Sequence, residues 1–287
     1  MSHAIIIPIY CENRNTIILC NELQNFGAEH IVVVNDGLNP KSEYFNELTS
    51  IGCHLVHLKN NNGKGASLKA GIKYAHDNLY NITGYITCDA DGQHTANDVM
   101  KISRMLDLRN GSLILGKRDY KKSKMPINIR IGNRLSSAYF KVITGKSCRD
   151  TQTGLRGIPA FLYDTVMKTK GSRFDFEMNF LTKCADMRVP FYFVNIIADC
   201  SNCSSNFRLI KDTYLIYRTP LRFATASIGC TIIDLVLFTI FAYILPSHMF
   251  FNIMLATLMA RVVSGGINFL INRKVIFGNT DNGAKQA

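Results

Sequence analysis

The chain has 287 residues, 47% of them hydrophobic, which excludes a disordered protein and allows one large domain or a medium domain with an appendage. Its 33 Lys and Arg against 21 Asp and Glu leave a formal net charge of +12, so an anionic partner is expected: nucleic acid, anionic lipid or a phosphorylated substrate. Nine scattered cysteines and no N-terminal signal peptide point to a reducing, cytosolic setting, and the single C-x-x-C, Cys200-Ser-Asn-Cys203, lacks the second pair or histidines of a zinc site.

In chain order, β-rich runs alternate with segments of helical period up to about residue 200: AIIIPIY (4–10), HIVVVNDG (30–37), CHLVHL (53–58), GYITCDADG (84–92) and SLILGKR (112–118). That alternation predicts an α/β fold with a mostly parallel sheet and flanking helices. Such sheets bind ligands where their strands end, so Pro8–Glu12, Asp36 and Asp89–Asp91 are expected to meet in one cleft. Gly63-Lys64-Gly65 reads as the opening of a helix, where free amides and a lysine suit a diphosphate, although it is not a Walker A loop.

Asp89 and Asp91 stand one residue apart directly after a run of β-formers. Two carboxylates sent into one loop repel each other, and a divalent cation relieves that repulsion best. Mg²⁺ or Mn²⁺ held there by oxygen ligands keeps open positions for a diphosphate, and Gln93 adds a neutral oxygen. Further on, GKRDYKKSKMPINIRIGNR (116–134) is strongly basic; Lys121, Lys122 and Lys124 fit a solvated loop, a lipid-facing patch or a substrate contact equally well.

After the polar, basic stretch 206–223 the composition turns apolar, in ATASIGCTIIDLVLFTIFAYIL (224–245) and again in MFFNIMLATLMARVVSGGINFLI (249–271). Each run is long enough to cross a hydrocarbon core of roughly 30 Å, which predicts a two-helix transmembrane hairpin over 224–272. Arg208, Lys211, Arg218 and Arg222 precede it, Arg273 and Lys274 begin the tail 273–287, and the turn carries only His248, so both ends and the α/β half are expected on the cytoplasmic face. Asp234 lies thirteen residues before Ser247, and Arg261 thirteen after His248. Equal distances from the turn mean equal depth in antiparallel helices, so an Asp234–Arg261 ion pair is expected, within one hairpin or between subunits.

The set IPIYCENRN (7–15), VVVNDG (32–37), NNNGKGASLKAG (60–71), DADGQH (89–94), GKR (116–118) and DTQTGLRG (150–157) resembles the family-two inverting glycosyltransferases, above all those of the polyprenyl-phosphate sugar synthase type, to which dolichol-phosphate mannose synthase belongs. The likeness covers about residues 1–205. It implies a Rossmann-like GT-A domain on the cytoplasmic face of an integral membrane protein, with a nucleotide sugar and a polyprenyl phosphate lipid as substrates, Mg²⁺ or Mn²⁺ as cofactor, and room for a homo-oligomer. By this resemblance Pro8, Tyr10, Glu12, Asp36 and Lys64 hold the nucleotide sugar and Asp89, Asp91 and Gln93 the metal. Arg118, Arg130 and their neighbour Arg134 face the acceptor phosphate, and Asp150, Gln152, Arg156 and Glu177 shape the sugar pocket. Three departures are visible. Gly37-Leu-Asn39 lacks the acidic residue frequent after Asp36. ADCSNCSSNFR (198–208) lacks the family's R-x-x-G-x-S-K, leaving Arg208 as a substitute. ARVVSGGINFLINRKVIF (260–277) resembles part of a GtrA-like membrane domain, but with two spans in place of four.

A processive polysaccharide synthase is the rival enzyme, yet its Q-x-x-R-W motif has no counterpart in a chain without Trp. A non-catalytic, nucleotide-sugar-binding partner of a flippase is the rival from another class, and both Asp89 and Asp91 speak against it. Nucleic acid is not expected, because the basic residues gather beside the apolar runs and the phosphate cleft instead of among aromatic stacking platforms.

Overall fold

The five β-rich runs are strands in the computed structural model, which describes residues 2–118, 127–173, 175–197, 209–245 and 250–271. They are β1 (Ser2–Ile9), β2 (His30–Asp36), β3 (His54–Leu58), β4 (Ile82–Thr87) and β5 (Leu113–Arg118). Two further strands complete the sheet, β6 (Arg156–Pro159) and β7 (Phe191–Ile196). The order is β3-β2-β1-β4-β6-β5-β7; six strands run in one direction and β6 runs against its neighbours β4 and β5.

Among the described residues, the α-helices that accompany this sheet are α1 (Arg14–Asn25), α2 (Glu43–Ser50), α3 (Lys64–Asn78), α4 (Ala96–Leu108), α5 (Ile127–Thr144), α6 (Tyr163–Lys168) and α7 (Asp175–Asp186). With helices on both faces, a central strand buries both sets of its alternating side chains and reads as a continuous apolar run. In β1, Ala4 and Ile6 join Val32, Val34, Leu68, Ile72 and Tyr85 on one face, while Ile5, Ile7 and Ile9 join Ile17, Leu23, Val33 and Phe45 on the other. Each such fully buried side chain stabilises by about 1.5–3 kcal/mol relative to exposure. Asn13, Ser42 and Thr95 accept amide hydrogen bonds at the starts of α1, α2 and α4. Helix α3 has no such side-chain cap of its own: Gly63 precedes it at φ 94°, a conformation glycine supplies.

The chain divides into two compact units, Met1–Phe207 and Arg208–Ala287. In the second, both apolar runs lie in helices, α8 (Leu209–Ile244) and α9 (Phe250–Ile271), which pack against each other. Helix α8 takes in most of the basic stretch 206–223 without a break, which makes it about 54 Å long at 1.5 Å per residue. Its segment Ser227–Ile244, with mean hydropathy 2.0, is long and apolar enough to cross a membrane. In α9 the apolar part is the shorter Asn252–Ile267, so among the described residues one span qualifies where two were expected.

Arg261 Nε lies 3.5 Å from Asp234 Oδ2. The two residues stand ten positions before the end of α8 and eleven after the start of α9, as an antiparallel pair requires. Ser264, which the sequence did not single out, donates its hydroxyl to Asp234 Oδ1 at 2.7 Å. Cys200, Cys203, Lys121, Lys122, Lys124, Arg208, His248, Arg273 and Lys274 lie outside the described residues. Among those described, seven cysteines are free thiols, and all but Cys11 are buried.

Candidate active site

The parallel strands deliver their ends to one edge of the sheet: Ile9 of β1, Asp36 of β2, Thr87 of β4 and Arg118 of β5. Because β6 runs the other way, its first residue, Arg156, reaches the same edge, opposite Thr87. The residues expected to share a cleft therefore come from consecutive loops of a single sheet edge, the position at which parallel α/β sheets take their ligands.

On the β1 and β2 side, Pro8 is half-buried, while Tyr10 and Glu12 are exposed on the way into α1. Asp36 is buried, and its carboxylate accepts hydrogen bonds from the amides of Asn62 at 2.7 Å and Gly63 at 2.9 Å. Asp36 thus fixes the turn that starts α3. At the same helix start, the Ala66 amide donates to Ser172 O at 2.9 Å. A Cβ on Gly65 would come 2.5 Å from Phe176 Cβ, so glycine is what lets α7 approach.

Lys64, the first residue of α3, reaches across the edge. Its ammonium lies 2.7 Å from Asp89 Oδ1 and 3.2 Å from Glu177 Oε1 in the first turn of α7. Burial opposes the Lys64 charge, but Asp89 and Glu177 outweigh it and hold the ammonium pKa above its ordinary value. Burial likewise disfavours the Asp89 carboxylate, yet Lys64 and His94 outweigh it and hold Asp89 well below the usual carboxylate range. His94, a buried residue to which the sequence gave no role, places Nε2 3.4 Å from Asp89 Oδ2. Asp91 is shifted upward, first by burial and then by the Asp89 charge. It accepts the Gln93 amide at 3.1 Å and also the Gln93 side-chain nitrogen. The loop is tied to α1 by Thr16 Oγ1, which donates to Ala90 O at 3.0 Å.

Among the described residues no three His, Cys, Asp or Glu side chains form a closed metal cage. Two carboxylates and an amide, all at one strand end, are the donor set for a hard divalent cation that keeps open positions, and to that extent Asp89, Asp91 and Gln93 fit Mg²⁺ or Mn²⁺. Gly154 stands directly behind Asp89, where a Cβ would collide with the carboxylate. Its signal in the sequence was a glycine inside DTQTGLRG.

Arg118 and Asp150, assigned to different substrates by the sequence, hold each other. Arg118 Nε and Nη2 donate to Asp150 Oδ2 and Oδ1 at 2.7 and 2.8 Å, a two-pronged bond in which both residues are buried. Asp150 thereby aims the guanidinium. Arg156 is spent on the backbone, donating to Thr153 O, Glu177 O and Thr151 O, and so braces the loop 150–155 against α7. Glu177 lies between Arg156 Nη2, at 3.9 Å, and Lys64. Arg130 and Arg134 are exposed on α5, and half-buried Gln152 lies beside that helix at Gly132.

Residues 4–164 match the model of the glycosyl transferase family 2. An uncharacterized protein of Methanocaldococcus jannaschii is 32% identical over 188 residues, 62% of this chain and 73% of its own. A UDP-N-acetylglucosamine–dolichyl-phosphate N-acetylglucosaminyltransferase of Methanococcus voltae is 28% identical over 172 residues, 53% of this chain and 67% of its own. Among solved structures, glucosyl-3-phosphoglycerate synthase from Mycobacterium tuberculosis with UDP superposes at a TM-score of 0.57 and 11% identity, covering 75% of this chain and 77% of that one. The same enzyme with Mn²⁺, UDP-glucose and phosphoglyceric acid gives 0.55 at 12% identity, over 77% of each chain. At such identities the likeness is one of fold.

Proposed function

The chain belongs to glycosyl transferase family 2, and we propose that within it this protein transfers a sugar from a UDP- or GDP-sugar to a polyprenyl phosphate at the cytoplasmic face of a membrane, with inversion at the sugar's C1. The observation that carries this reading is that the Asp89–Asp91 loop after β4 and Arg118, anchored by Asp150 at the end of β5, lie at the same edge of the sheet. One side suits a nucleoside diphosphate and the other an acceptor anion. The dolichyl-phosphate relative supports the lipid acceptor, and the apolar helix segment Ser227–Ile244 supports a place in the bilayer.

Asp89, Asp91 and Gln93 would hold a Mg²⁺ or Mn²⁺ ion, whose chemistry is to neutralise the charge that builds on the diphosphate leaving group. Pro8, Tyr10 and Glu12 border the nucleoside, and Asp36 shapes its pocket through the turn at 62–63. Arg118, with Arg130 and Arg134 on α5, takes the acceptor phosphate; Gln152 borders the sugar, with Asp150, Arg156 and Glu177 holding that wall in place. A phosphate monoester has its second pKa near 6, so its oxygen is largely anionic at neutral pH and no strong general base is required. The work of the protein is then to hold that oxygen in line behind C1.

The test is to incubate membranes containing the protein with polyprenyl phosphate, Mg²⁺ or Mn²⁺, and a panel of radiolabelled UDP- and GDP-sugars, then to extract the lipids. Label should enter the lipid phase with one donor and depend on added acceptor. No labelled lipid from any donor would refute the assignment.

A further inference from the structure

The position of Lys64 is more specific than a diphosphate contact requires. Its ammonium bridges two carboxylates on different elements, Asp89 after β4 at 2.7 Å and Glu177 of α7 at 3.2 Å. Asp89 has little freedom to offer another face. Gly154 backs against its carboxylate, and His94 Nε2 stands 3.4 Å from Oδ2. A cation binding to Asp89 therefore meets the lysine at the same group, where two positive charges share one carboxylate at close range.

We propose that Lys64 is a built-in competitor of the divalent cation for Asp89, and that Glu177 is the second anchor to which its ammonium withdraws when cation and nucleoside diphosphate bind together. This inference rests on the donor-site reading above. The lysine stem is flexible, and Glu177 is already within reach, so the exchange needs a shift of the ammonium and no movement of a helix. A diphosphate draws the lysine the same way, because it supplies anionic oxygens beside the position the ammonium must adopt. Metal and nucleotide then favour each other: each removes part of the cost of displacing Lys64 from Asp89, and linkage makes the effect reciprocal. Lys64 and Glu177 become positioning residues that keep the cation weakly bound until the nucleotide arrives.

The test is Mn²⁺ binding to the full-length protein in detergent, followed by the loss of the free-ion electron paramagnetic resonance signal, without nucleotide and with UDP or GDP. Lys64→Met should bind Mn²⁺ alone at least about fivefold more tightly than the wild type and lose most of the enhancement by the nucleoside diphosphate. Glu177→Gln should act oppositely, committing the ammonium to Asp89 and weakening Mn²⁺ binding; simple structural damage would weaken both variants. Lys64→Met with unaltered or weaker Mn²⁺ binding at an unchanged melting temperature would overturn the inference and leave the donor site standing. Should Lys64→Met not fold, Glu177→Gln decides, and binding equal to or tighter than wild type overturns the inference. Failure of Mn²⁺ to bind any of the proteins, with or without nucleotide, would overturn the donor-site reading and this inference together.

Discussion

Asp234 of α8 and Arg261 of α9 meet at 3.5 Å, and Ser264 completes the contact by donating to the same carboxylate. Asp234 is a charge on an apolar helix and is costly unless answered, so this trio is expected to help set the register of α8 against α9. Asp234→Asn and Arg261→Gln should each lower the melting temperature in detergent, and the double mutant should cost less than their sum, with a coupling of about 0.5–2 kcal/mol. Strict additivity would mean that the two charges do not support each other.

Asp89→Asn and Asp91→Asn should each reduce sugar transfer by at least about a hundredfold at saturating Mn²⁺. The fold should persist, because Lys64 retains Glu177 as a partner when Asp89 is neutralised. Transfer assays paired with melting curves would check both halves, and near-normal transfer in either variant contradicts the metal assignment.

Gly154→Ala should behave like a first-rank active-site mutation although it removes no functional group. Its new methyl would displace the Asp89 carboxylate, and displacement of a ligand by about 1 Å can cost a hundredfold in rate. Mn²⁺ affinity measured beside kcat would locate the damage at the donor side.

Arg118 and Arg130 should separate in a stability assay. Arg118→Ala leaves Asp150 buried and unanswered, at a cost of about 3–5 kcal/mol, whereas Arg130 is exposed and its loss should stay within about 0.5 kcal/mol. For folded protein, both should raise KM for the lipid phosphate more than KM for the nucleotide sugar. A selective loss of nucleotide binding would move them to the donor side.

Acid should weaken the fold through two histidines far from the cleft. His3 hydrogen-bonds Ser103 at 2.8 Å and lies 3.3 Å from Asp107. Burial is the largest influence and holds its pKa below the ordinary value, against the opposing pull of Asp107 and Glu29. His54 is lowered by burial and by His30, whose ring is 5.9 Å away. Both are kept neutral by folding, so stability present above the ordinary value of 6.5 is lost as pH falls toward their lower folded values. Melting temperature should drop between about pH 7.5 and about pH 5.5, and His54→Gln should shrink the drop. An equal drop in His54→Gln would exclude His54 as a contributor.

The sheet was legible because its central strands are buried on both faces and announce themselves as apolar runs such as AIIIPIY and HIVVVND. Strand β6 was not: RGIP is four residues long, with an arginine, a glycine and a proline, and its pairing is imposed by the strands on either side. FYFVNI of β7 has the residue types of a strand, but it lies beyond the last of the β-rich runs whose alternation with helices marks the sheet. In the site, the carboxylates of DADGQH were visible from their spacing. What they touch was not, since Lys64, Glu177 and Gly154 arrive from positions 25 to 88 residues away along the chain. Asp150 looked like a sugar contact from its motif, and only the distance to Arg118 shows that it is the arginine's anchor.

The short strand β6 separates β4, which leads into the Asp89–Asp91 loop, from β5, which ends in Arg118. The segment leading into it touches both sides within five residues: Asp150 grips Arg118, and Gly154 backs Asp89. If the two sides serve donor and acceptor as proposed, they are not independent modules that natural selection can retune one at a time. On the proposed function, a substitution in 150–155 that reshapes the surroundings of Arg118 should also be felt at Asp89, and a change of acceptor is expected to come with compensating changes there. Acceptor preference and donor handling, as proposed here, would then be inherited as one character.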